Sequence, residues 1–197
     1  MSKRAALRSS ADAVAACNFD FVFVPTLEPI LDKLDGAALR LLRTSDSVPA
    51  QYWNARPAQN CWSPAEIIAH VIMVERAVIA YAQKVLTKPP KRFPLHKKLH
   101  LPILLAENRI ILRKTPIPLD PQLVREKEAA LAELRETRDH TLAFLEQTKG
   151  QDVSVYRWPH PFLGTLNMYE WFQMIAAHEI RHAKQMQKFV GTLPKAI

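Results

Sequence analysis

The chain is poor in glycine and cysteine, and it has no long apolar run. Each scarcity narrows what it can be. Four glycines in 197 residues, beside plentiful Ala, Leu, Glu, Lys, Arg and Gln, favour helix. Two cysteines, Cys17 and Cys61, make no disulfide framework, and neither sits in a Cys-x-x-Cys pair. The reduced cytoplasm is therefore the expected compartment. No stretch is long and apolar enough to span a bilayer, so no membrane partner is expected. Arg8 and Asp12 interrupt the N-terminal apolar residues, which argues against a signal peptide. Aromatic residues are missing, except Phe93, from the basic run Lys84, Lys88, Lys91, Arg92, Lys97, Lys98. Without rings to stack bases, the formal net charge of +8 reads as a solvated basic loop, and no nucleic-acid partner is expected.

What remains fits one domain with a full core. Residues 1–23 read as an N-terminal extension, alanine-rich and then aromatic at Phe19, Phe21 and Phe23. Residues 24–197 read as the folded domain. A first helix is predicted from Pro25 to Leu42, with Leu27, Leu31, Leu34, Ala38 and Leu41 on one face. Ser63, Pro64 and Glu66 form a strong start signal for a second helix running to about Val85. Seven of the fifteen prolines fall between Pro89 and Pro121, so that connection is no single helix, although Leu101 to Lys114 has room for a short one. Asp120-Pro121 is predicted to open a third helix that runs to about Gln147 and ends at Gly150. The loop Trp158-Pro-His-Pro-Phe-Leu-Gly-Thr165 leads to Asn167 and Glu170, a second capping box, and a last helix to about Val190.

The expected fold is all-α, a four-helix bundle. Short links join the first and last pairs, favouring antiparallel neighbours. The long crossover between helices two and three frees those two to run parallel, giving up-down-down-up.

Three histidines occupy the inward seams of this bundle. Steps of 4, 3, 4, 3 and 4 residues pick out Trp171, Ile175, His178, His182, Gln185 and Phe189, the buried stripe of a packed helix. The i, i+4 spacing stacks His178 and His182 one turn apart on one face. Helix two repeats the anomaly once, in Ile67, His70, Val74, Ala77 and Tyr81. One such histidine is most simply a satisfied core residue. Three facing one apolar interior leave ring nitrogens short of protein acceptors, at about 1–3 kcal/mol for each unsatisfied group. A divalent cation takes up those lone pairs, and three imidazoles plus one open position make a common site for one. Imidazole ligands suit several metals, with zinc or nickel preferred here.

His178-Glu-Ile-Arg-His182 also matches the H-E-x-x-H helix of zinc proteases, with Glu179 as general base. No Asp, Glu or His follows His182 to supply a third ligand, which argues against a protease.

Trp62-Ser-Pro-Ala-Glu-Ile-Ile-Ala-His70, followed by Glu75, resembles the second-helix motif of the DinB-like superfamily. His160-Pro-Phe-Leu-Gly-Thr-Leu and His178-Glu-Ile-Arg-His-Ala-Lys-Gln185 resemble its last loop and last helix. The resemblance spans about residues 26 to 190. It implies an up-down-down-up bundle with a divalent metal held by His70, His178 and His182. It further implies a small-molecule substrate and, from members with known chemistry, a transferase using a low-molecular-weight thiol, or otherwise a hydrolase.

Glu179, Gln185 and His160 are candidates to hold the ligands or handle protons, against ordinary capping, surface or loop roles. Arg138 lies near the inner face of helix three and could meet an anionic substrate, although a solvent-facing helix arginine is the commoner arrangement. Cys61 is expected as a small buried thiol. It lines, with Trp62, the bundle end where the loops before Ser63 and after Val190 meet. Two other classes fit the sequence: a non-catalytic metal-binding structural bundle, and a basic interaction module. A homodimer is compatible with all three.

Overall fold

Four helices carry the chain: α1 (Glu28–Asp46), α2 (Pro64–Leu86), α3 (Lys127–Gln147) and α4 (Met168–Val190). They belong to a computed structural model that describes residues 27–91, 93–94, 99–107 and 118–194. The expected extension over residues 1–23 lies outside the described residues.

The helix starts show how local chemistry sets the elements. Ser63 accepts from the Glu66 amide while the Glu66 carboxylate accepts from the Ser63 amide, and Pro64 takes the first helical position. Asn167 and Glu170 repeat that reciprocal box at the start of α4. α1 has no side-chain cap; it begins at Glu28 rather than Pro25 and continues past Leu42 to Asp46. In that last turn Ser45 is fully buried, and its hydroxyl is satisfied by donating to Leu41 O at 2.8 Å.

α3 differs from expectation at its start. Pro121–Leu123 is one 3-10 turn, held by Asp120 Oδ1 accepting from Gln122 N, and α3 proper starts only at Lys127. Two carbonyls in between are taken by side chains: Arg125 donates to Gln122 O, and Trp53 Nε1 donates to Arg125 O at 3.0 Å. The short helix expected at Leu101–Lys114 is a 3-10 segment, Ile103–Glu107; residues 108–117 lie outside the described residues.

The ends of the core fix the helix directions. One cluster joins Ile30, Leu34 and Ala37 from early α1 with Val78, Ile79 and Ala82 from late α2, Phe144 and Leu145 from late α3, and Phe172 and Ile175 from early α4. The other joins Leu41 with Ile67, Ile68 and Val71, then Leu131 and Leu134, then Ala183, Met186 and Phe189. Hence α1 and α4 run one way and α2 and α3 the other, up-down-down-up. The sequential pairs are antiparallel but not the close neighbours that short links suggested: α1 packs on α4 and α3, and α2 on α3 and α4. The links allow this because they carry structure of their own. Residues 47–63 cross one bundle end through a 3-10 turn at Ala50–Tyr52 and the buried Trp53.

The link before α4, expected as plain loop, contains a β-hairpin. β1 (Arg157–His160) pairs antiparallel with β2 (Gly164–Asn167). Pro159 is tolerated because a two-stranded ribbon is all edge. Gly164 adopts φ +99°, a region that favours glycine, and His100 bridges to it from the crossover. Trp158 and Trp171 stack at 5.2 Å and seal the hairpin onto α4. Among the described residues, no helix is long and apolar enough to cross a membrane.

Candidate metal centre

Where α2 faces α4, in the half of the bundle bearing the second cluster, the three seam histidines meet. His70 Nε2 lies 3.2 Å from His178 Nε2, which lies 3.1 Å from His182 Nε2. All three ligand atoms fall within 4.8 Å of one another. The antiparallel run of α2 and α4 brings an imidazole near the start of one helix level with two from the middle of the other. Nitrogens bound tetrahedrally to zinc at about 2.0–2.1 Å would be spaced by about 3.3–3.4 Å. Two of the three spacings are close to that edge, and the third lies within 4.8 Å.

The donor chemistry fits a cation better than a hydrogen-bonded cluster. Gln185 Oε1 lies 3.1 Å from His182 Nδ1, so the ring donates there and keeps a lone pair on Nε2. His178 Nε2 faces two ring nitrogens with at most one proton of its own, which cannot be aligned on both. His70 Nδ1 is buried with no hydrogen-bond partner among the described residues. A cation accepting all three Nε2 lone pairs removes the conflict at His178 and leaves each Nδ1 as the protonated nitrogen, that of His70 still without an acceptor among the described residues. Among the described residues no carboxylate or thiolate joins the three imidazoles as a fourth donor.

Burial and nearby charge keep His70 and His178 neutral. Burial, reinforced by the charge of Arg181, brings His70 down to about 4. Burial first, then the facing His182 and His70, then Arg181 and His160, hold His178 well below the usual histidine range. Neutral imidazole is the form that binds metal. Trp62 covers the site from the end where the two loops meet: its ring lies 4.6 Å from His70 and 6.2 Å from His182, nearly parallel to the latter. Trp62, Val190 and Leu193 pack against the same cluster. His178, taken as a whole residue, is half-buried.

The remaining candidates separate. Gln185 touches a histidine directly. His160 sits on the hairpin turn, where Nδ1 accepts from the Phe162 and Leu163 amides at 3.1 Å each, and its ring packs on Trp171. It reaches His178 only through its field. Cys61 is half-buried rather than buried. Arg138 does not face solvent. It is 4% exposed and pairs with two buried carboxylates, Glu75 at 3.3 Å and Glu179 at 2.6 Å. Glu179 therefore faces the guanidinium; burial raises its pKa above the usual carboxylate range, and Arg138 opposes that rise. Sequence reasoning missed Arg181, although it stands between the two histidines of α4. It also missed the pairing of Glu75, which rests on Arg138 and Thr141, both from α3.

The family model described as the DinB superfamily matches residues 25–186. The chain is 27% identical to an uncharacterized protein of Bacillus subtilis (strain 168), YuaE, over 151 residues, 73% of this chain and 86% of that protein. No solved structure matches the chain significantly.

Proposed function

We propose, from the premise that the chain belongs to the DinB superfamily, that it is a metal-dependent enzyme acting on a small molecule. It is either a transferase using a low-molecular-weight thiol or a hydrolase. His70, His178 and His182 would hold one divalent cation, zinc or nickel. The observation that carries the reading is the convergence of three Nε2 atoms at 3.1–3.2 Å steps with no fourth protein donor among the described residues. Zinc takes four ligands, so three protein donors are the pattern of a reactive site, whereas a structural site supplies four.

A bound cation supplies Lewis acidity, which lowers the pKa of a thiol or water at its remaining position and makes an anionic nucleophile available near neutral pH. The residues of the chain do the rest. Gln185 fixes the tautomer and orientation of His182. Trp62 shields His70 and His182 from solvent on one side. Arg181 adds positive potential beside the ligands, which favours an anionic thiolate or substrate there.

The test is turnover. Protein purified without a histidine tag is assayed against a panel of low-molecular-weight thiols with electrophiles, and of small esters and amides. Activity that disappears with a chelator and returns with added zinc or nickel is expected. Turnover indifferent to chelation would overturn the proposal.

A further inference from the structure

The interior carries a second polar cluster beside the imidazoles. Glu75 on α2, Arg138 on α3 and Glu179 on α4 are 1%, 4% and 0% exposed, and each comes from a different helix. Arg138 Nη2 lies 3.3 Å from Glu75 Oε2 and 2.6 Å from Glu179 Oε1, so one nitrogen meets both carboxylates. Thr141, one turn on from Arg138, donates its hydroxyl to the other Glu75 oxygen. The two carboxylates stand on the two helices that supply the histidines. Glu179 follows His178 directly, and Glu75 lies five residues beyond His70, about 7.5 Å along the helix axis.

Stability alone gives little reason for this arrangement. A buried ion triad is commonly no better than apolar side chains of the same volume, because desolvation cancels the attraction. This one is also incompletely satisfied: Arg138 Nε and Nη1 and Glu179 Oε2 lack hydrogen-bond partners among the described residues, and Glu179 Oε1 meets only the Arg138 nitrogen that Glu75 shares. What the triad does provide is a fixed three-way joint. α2 meets α4 more sparsely than α1 does, so apolar packing restrains the α2–α4 spacing less. A metal site needs that spacing held closely, since ligand distances tolerate only about 0.2 Å.

We infer that Arg138 is a positioning residue for the three-histidine centre: from α3 it ties Glu75 on α2 to Glu179 on α4, and so holds His70 at ligand distance from His178 and His182. The inference rests on the metal reading above. It concerns a group that touches neither cation nor substrate.

The test compares zinc affinity, measured by competition with a chromophoric chelator, and the visible spectrum of the cobalt-substituted protein. Wild type is set against Arg138→Met and against the neutralised triple variant Glu75→Gln, Arg138→Met, Glu179→Gln. Arg138→Met strands two buried carboxylates and should lose stability. The triple variant removes the stranded charge and should recover much of it. If the joint positions the ligands, both variants bind zinc about tenfold more weakly, and both show altered cobalt bands even where melting temperature has returned. A triple variant that regains wild-type zinc affinity and cobalt spectrum together with its stability would show that the triad acts on folding alone, and would overturn the inference. So would an Arg138→Met variant that binds like wild type. A wild type that binds no zinc, nickel or cobalt would instead overturn the metal reading beneath it.

Discussion

Replacing Gln185 by leucine isolates one hydrogen bond of the centre. Its Oε1 accepts from His182 Nδ1 at 3.1 Å, and that bond decides which nitrogen of His182 is free to bind a cation. Leucine keeps nearly the same volume and, at a half-buried position, should disturb packing little. Without the acceptor the ring must select its tautomer and orientation unaided. The lost bond is also one that strengthens on metal binding, because the cation polarises the Nδ1–H. Hydrogen bonds to charged groups contribute about 1.5–3 kcal/mol, and taking the low end gives about tenfold in Kd. The assay is zinc competition with a chromophoric chelator at pH 7.5, alongside urea unfolding of the metal-free protein. Gln185→Leu should bind zinc about tenfold more weakly, while metal-free stability changes by no more than about 0.5 kcal/mol. Gln185→Glu, which restores an acceptor and adds charge, should bind at least as tightly as wild type. Unchanged affinity in Gln185→Leu, or a Gln185→Glu variant weaker than Gln185→Leu, would refute the role given to this residue.

The metal-free protein should lose stability in mild acid. His70 titrates near 4 in the folded state against 6.5 when exposed, so the unfolded chain binds the proton first. This stability is present above pH 6.5 and falls as pH drops toward 4, by about 2 kcal/mol at pH 5 for His70 alone. Urea midpoints in chelator at pH 7.5 and pH 5 measure it, and equal stability at the two would contradict the burial of that ring. Gly164→Ala should destabilise by about 1–3 kcal/mol, because φ is +99° and a Cβ there would meet Leu99 O at 3.1 Å and His100 Cα at 3.2 Å. An unchanged melting temperature would count against the hairpin geometry. Asn167→Ala, which removes the cap of α4, should cost about 1 kcal/mol by the same melt, and no loss would mean the cap is made otherwise.

Much of this molecule is written locally. Both capping boxes, the seam positions of the three histidines and the direction of each helix follow from spacings of three to four residues and from the length of one crossover. The features that escaped are non-local or carry mixed signals. The stretch from Trp158 to Leu166 has two prolines in five residues and reads as loop; it pairs as a hairpin because His160 accepts from the turn amides within it, while His100 at Gly164 and the Trp158–Trp171 stack hold it from outside. The helix signal at Pro121 is sound, yet side chains from Trp53 and Arg125 take the carbonyls that would continue it. Arg138 looks like any helix arginine until Glu75 and Glu179 are brought to it from elsewhere in the chain. Sequence reports that a charge lies near an inner face; only the packed bundle reports what balances it.

Metal content of protein prepared without a histidine tag, for wild type and His178→Ala, tests the central claim most directly. His178 Nε2 is the nitrogen that meets both of the others, at 3.2 and 3.1 Å. After loading and desalting, wild type should retain one equivalent of zinc or nickel per chain and His178→Ala none, with the variant still helical. Wild type that retains no metal, or a folded His178→Ala that retains as much as wild type, would contradict the account.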